Sequence, residues 1–181
     1  MRVWTIQTLE VLDRLRAGDA WRADARGCHT AWAPAYRWMA AQMASRLGAP
    51  DKAGLMPVWL WCSWRGAART KPDLRARGHL PSGSVGVRLE LEIDDRRLLQ
   101  SDFDLWHYAL NGWYLPDSLA DERRFDAHPE PRQVPASWQR IFDAGWNNRR
   151  YRAARADRSI QAVTWELRPQ DLRRATRFVA R

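Results

Sequence analysis

Four side chains able to do chemistry recur three and four apart in the stretch SDFDLWHYALNGWYL, residues 101–115: Asp104, His107, Tyr108 and Asn111. That spacing stacks them along one side of an α-helix. Asp104 and His107 are near enough in sequence to touch. A carboxylate beside an imidazole raises its pKa and fixes its tautomer, which a general base or a ligand-orienting group requires. Asp104 and His107 are therefore candidate catalytic residues, and Tyr108 and Asn111 candidate ligand contacts. The competing reading is structural: Asp104 caps a turn and His107 hydrogen-bonds a neighbouring loop.

The elements that would hold this face are legible in outline. Phe103, Leu105, Trp106, Ala109, Leu110 and Trp113 form the opposite, apolar side of the helix. Ser101 or Asp102 can cap its start and Gly112 can end it. VWTIQT, residues 3–8, alternates as a strand with Trp4 and Ile6 toward the core and Val3, Thr5 and Gln7 on the other face. It runs directly into a helix through Leu9, Leu12 and Leu15 that Gly18 closes. Pro34 opens a second helix, whose stripe is Tyr36, Met39, Ala40, Met43 and Leu47, with Gly48 the stop. VWLWCSW, residues 58–64, reads as a strand buried on both faces, and Val85 to Ile93 as the plainest alternating strand.

Asp94 to Gln100 reads as a bend, PDSLADERRF from Pro116 as a surface helix, and the Pro-rich residues 128–135 as a linker. SWQRIFD, residues 137–143, reads as a short helix. IQAVTWEL, residues 160–167, is a strong strand, followed by Pro169, a short helix and a last strand near Arg177 to Ala180. These elements give one α+β domain over residues 1–181, with a mixed, mostly antiparallel sheet and flanking helices.

Composition narrows the function classes. At 181 residues the chain can bury a core without staples. No apolar run approaches a membrane span and MRVWTIQTLE has no signal-peptide core, so a cytoplasmic protein without membrane contact is expected. Cys28 and Cys62 are too few for a disulfide framework, and together with His29 and His79 they match no zinc-ligand spacing, so no metal is expected. The net charge is +9, and every basic residue except Lys52 and Lys71 is Arg. Residues 140–181 carry eleven Arg against four acids, whereas residues 88–126 carry five Arg against ten acids. Asymmetry of that kind can steer a phosphate-bearing ligand. Twelve Trp supply core, interfaces and platforms for stacking bases. The loop from Arg65 to Pro81, net +4, flanks Trp59, Trp61 and Trp64, so it is either a basic flap beside aromatic platforms or a solvated excursion.

WTIQT, YRWMAAQM, PVWLWCSW, SDFDLWHYALNGWYLPDS, SWQRIFD and IQAVTWEL, taken in order, resemble the bacterial family known as domain of unknown function 3841. The ends of the chain, VWTIQT with LEVLDRLRAG and IQAVTWELRPQDLRRATRF, look like those of the ADP-ribosyltransferase fold. That likeness implies NAD as ligand, with a first-strand His or Arg holding it and a late-strand Glu or Gln assisting the transfer. Thr5 stands where the His or Arg would be, followed by Gln7, while Gln161 and Glu166 lie on the late strand. Thr5 cannot supply the cation. Strict alternation also turns Glu166 to the face opposite Gln161. The implied pocket combines Thr5, Gln7, Trp61, Trp64, Trp106 and Gln161 as ligand contacts with Glu166 as the carboxylate that stabilises a sugar cation. The alternatives are a nucleic-acid-binding module that uses the Arg- and Trp-rich surface without catalysis, and a protein-interaction domain.

Overall fold

Alternating apolar residues, interrupted by glycines that adopt positive φ, divide the chain into strands and helices that pack as three layers. The computed structural model describes residues 1–25 and 30–181, so Cys28 and His29 lie outside the described residues. The first strand, β1 (Arg2–Thr8), passes straight into α1 (Leu9–Arg16). A two-stranded ribbon pairs β2 (Ala23–Asp24) with β3 (Leu55–Met56), and α2 (Ala33–Leu47) lies between them in sequence. Then follow β4 (Val58–Ser63), β5 (Val85–Glu92), β6 (Leu99–Asp102), α3 (Phe103–Leu110), α4 (Leu119–Ala127) and α5 (Gln133–Ser137). A 3-10 turn over Trp138–Phe142 continues α5, and β7 (Ile160–Thr164) and β8 (Leu172–Val179) complete the chain.

The six long strands form one antiparallel sheet in the order β6-β7-β4-β1-β5-β8. Residues opposite one another in an antiparallel register share a face. Val3, Thr5 and Gln7 oppose Leu91, Leu89 and Val87, so all six look toward the side covered by Val11, Leu12 and Leu15 of α1. On the other face Trp59, Val163 and Leu99 pack under α2, α3 and the 138–142 turn, against Met39, Met43, Leu105, Trp106 and Ile141. Trp4 and Ile6 were expected to mark the single core face of β1. Val3 and Thr5 are instead buried too, because β1 is an interior strand with a layer on either side.

Two further differences from the sequence reading have local causes. The bend over residues 94–100 runs into β6, a strand of four residues whose LQSD pattern is too short to carry a period; pairing with β7 makes it a strand. The segment read as a Pro-rich linker ends in α5, where Pro135 is tolerated because the first turn of a helix needs no amide there. The last strand extends back to Leu172, in register with β5. Among the described residues no helix is long and apolar enough to cross a membrane.

Candidate functional site

β1 and β4 are neighbours at the centre of the sheet, yet their register comprises a single pair, Trp4 opposite Trp61. Beyond that pair the strands diverge, and Thr5, Ile6 and Gln7 form one lip of an open cleft of about 710 Å³ whose other lip is Val58 and Trp59. Trp61 lies at the closed end. Thr5 Oγ1 accepts a 2.9 Å hydrogen bond from Gln7 Nε2, which holds the amide oxygen of Gln7 free to accept from a ligand.

Aromatic rings wall the cleft. The Trp61 ring lies 4.7 Å from that of Phe103, the first residue of α3, and Tyr36 of α2 meets Trp59 edge-on at 5.8 Å. The loop after β4 brings in His79, whose Nε2 lies 2.8 Å from Asp73 O; Gly78 beside it has φ 84°, a conformation that favours glycine. Two guanidiniums also line the space. Arg14 of α1 pairs with Glu10 one turn earlier at 3.3 Å, and Arg22 is held by Glu166 and by Asp51. Arg22 is fixed because Trp21 and Leu167 exchange two backbone hydrogen bonds of 2.9 Å, which pin this segment to the chain just after β7.

The structure gathers Thr5, Gln7 and Trp61 in the cleft and leaves the other sequence-derived site residues elsewhere. Asp104 and His107 are exposed on α3. His107 Nδ1 lies 3.0 Å from Phe103 O, so the imidazole is bonded back into its own helix instead of to Asp104. Its ring meets Phe103 edge-on at 4.8 Å, which places His107 behind the cleft wall. Partial desolvation against the helix and the neighbouring Asp102 raise the pKa of the otherwise exposed Asp104, opposed by His107. Asn111 donates to His107 O at the end of the helix, and Tyr108 packs on Trp113; burial and Glu122 raise its phenol pKa. The carboxylate at the start of this helix that is fully engaged is Asp102, which accepts from the amides of Asp104 and Leu105.

Trp106 is a core residue, 4.8 Å from Trp59. Trp64 sits on the outer loop, 6.1 Å from His79 and under Arg65. Gln161 is buried on β7, in register between Trp61 and Ser101, and its Nε2 has no hydrogen-bond partner among the described residues. Glu166 follows the end of β7, where strand alternation no longer applies, and its carboxylate is committed to Arg22 and Arg168. It reaches the cleft through Arg22, not as a free carboxylate. Sequence reasoning missed Arg14, Trp21, Arg22 and Tyr36. The first three lie in a surface helix and an irregular segment, and Tyr36 sits in an apolar stripe, so nothing local marks them.

No curated protein and no solved structure, of the ADP-ribosyltransferase fold or any other, matches the chain. Residues 2–131, which carry β1, both strands of the small ribbon and both aromatic walls of the cleft, match the family model described as Domain of unknown function (DUF3841), and the chain belongs to that family.

Proposed function

We propose that this domain binds a nucleotide, NAD being the first candidate, in the cleft where β1 and β4 part. The observation that carries the reading is the combination at that gap: flat rings from Trp21, Tyr36, Trp59, Trp61 and Phe103 beside the guanidiniums of Arg14 and Arg22. Indole and phenol rings stack a base or a nicotinamide, and guanidinium forks match phosphate oxygens. Gln7 offers an amide to a carboxamide or a ribose hydroxyl. The volume, about 710 Å³, falls within the range of small-molecule and cofactor sites.

An ADP-ribosyl transfer would need, besides the bound dinucleotide, a carboxylate beside the nicotinamide ribose. Glu166 is held by two guanidiniums and does not line the cleft; the acids that line it are Glu10, paired with Arg14, and Asp24. Binding rests on the rings and guanidiniums of the cleft, and transfer further requires that Glu10 or Asp24 reach the nicotinamide ribose. Calorimetry and tryptophan fluorescence with NAD test it. Saturable binding is expected, weakened about ten-fold or more by Gln7→Ala or Arg22→Gln, as the loss of one hydrogen bond to a charged or buried group does. Asp104→Ala combined with His107→Ala should leave that binding intact, because both side chains lie outside the cleft. Absence of heat and of any fluorescence change up to millimolar NAD would sink the proposal.

A nucleic-acid module is the second reading, favoured by a separate basic hollow of about 450 Å³ lined by Trp64, Arg69, Lys71, Arg75 and Arg88. Affinity for an oligonucleotide should then fall steeply with salt as phosphate contacts release counterions. A flat salt dependence rejects it.

A further inference from the structure

Away from the cleft, the sheet edge beside β6 buries two arginines against a single carboxylate, that of Asp102. The segment from Asp143 to Arg158 folds over the edge strand β6, and two of its arginines, Arg152 and Arg158, are each only 5% exposed. Arg152 Nε donates to Asp102 Oδ2 at 2.7 Å, and its Nη1 donates to Asp143 O and Trp146 O. Arg158 has no such carboxylate among the described residues. Its Nε and Nη1 donate to the carbonyls of Ala153 and Ala144 at 3.2 Å, and its Nη2 donates to Asn147 Oδ1 at 2.7 Å. Asp102 cannot serve both guanidiniums fully, because its other oxygen already caps α3.

An arginine does not shed its proton to escape such a site, so the cost of burying the charge falls on the fold unless an anion relieves it. Burial and the nearby Arg152 both disfavour the charged form of Arg158. Beside the two guanidiniums lies a pocket of about 240 Å³, lined also by Arg155 and Ser101. Ser101 is 3% exposed and its Oγ has no hydrogen-bond partner among the described residues. A buried hydroxyl without a partner is uncommon in native proteins and calls for a bound water or ion.

We propose that this pocket, formed by Ser101, Arg152, Arg155 and Arg158, binds a small tetrahedral oxyanion of the phosphate class. Arg158 and Arg152 neutralise it with their remaining N–H groups, Ser101 donates its hydroxyl, and the exposed Arg155 closes the mouth. The site is independent of the nucleotide cleft. It uses the end of the chain where arginine is densest, which the nucleotide reading leaves without a role.

Thermal denaturation of the full chain in inorganic phosphate and in sodium chloride at matched ionic strength tests this. A saturable rise of Tm specific to phosphate is expected, because a ligand that binds only the folded state stabilises it by mass action. Arg155→Gln alters an exposed side chain without an ion-pair partner among the described residues, so the fold survives and the apparent Kd for phosphate rises about ten-fold. Ser101→Ala removes the unpartnered hydroxyl, leaves the phosphate-free Tm equal or higher, and weakens phosphate binding about three-fold or more. Arg14→Gln, in the nucleotide cleft, leaves the phosphate response unchanged. A Tm that responds equally to phosphate and chloride overturns the assignment. So does a phosphate response that neither Arg155→Gln nor Ser101→Ala weakens, or one that Arg14→Gln abolishes.

Discussion

Cys62 shows how placement decides chemistry for a single side chain. It sits on β4 with its Sγ 3.7 Å from Met1 Sδ, and burial, helped by the negative charge of Asp95, pushes its thiol up to about 12. A thiol in that state is a poor nucleophile, since the thiolate is the reactive form. In a Cys28→Ser background, Cys62 should react with a disulfide reagent at pH 8 far more slowly than the thiol of the unfolded chain; equal rates for the native and unfolded protein would contradict the raised thiol pKa. The same shift has a pH consequence of fixed sign. The unfolded thiol ionises near pH 8.5 while the folded one stays protonated, so the folded state holds the extra proton. Stability from this group is complete below pH 8.5 and falls as pH rises from there toward 12, a loss that a Cys62→Ala variant would not share.

At the level of elements, local signals were read well where one residue governs the outcome. Asp102 caps α3 and Gly112 ends it with φ 67°, and the alternation of Val87, Leu89 and Leu91 buries those three side chains fully, while Val85 at the start of the same face of β5 is 51% exposed. The β6 strand was illegible because its partner, β7, lies some sixty residues downstream. The polar face of α3 names its own side chains but not what stands opposite, and the structure places Asp104 and His107 on the exposed side of that helix, outside the cleft. Thr5 and Gln7, named through the fold resemblance, and Trp61, named as a stacking ring, lie on β1 and β4 and line the same cleft. Gly86 shows the reverse, a residue whose role only packing reveals. A methyl group there would run into Leu80 and would lie 2.8 Å from Phe178 Cε1. Gly86→Ala should therefore cost about 1–3 kcal/mol, the usual penalty of overpacking, read as a lower urea midpoint with an unchanged slope. An unaffected midpoint would mean that the Phe178 ring moves freely.

The whole molecule raises a question of boundaries. The family match ends at residue 131, but β7 lies between β4 and β6 in the sheet and β8 forms the far edge against β5. Arg97 ties the two regions further, with hydrogen bonds of 2.9 and 3.0 Å to the carboxylate of Asp171. A chain ending at Pro131 would lack an interior strand and leave β4 and β6 without their common neighbour. It should show no cooperative thermal transition by circular dichroism; a folded fragment would mean that β7 is dispensable.

The lone Trp4–Trp61 pair has a mechanical implication. It makes the sheet two three-stranded panels, β6-β7-β4 and β1-β5-β8, joined at one rung and by the helical layers on either side. Such a seam lets the panels tilt against each other at little cost in main-chain bonding, so a guest seated between them would act as a rivet. Its grip would be felt first in the relative orientation of the panels, well away from the atoms it touches.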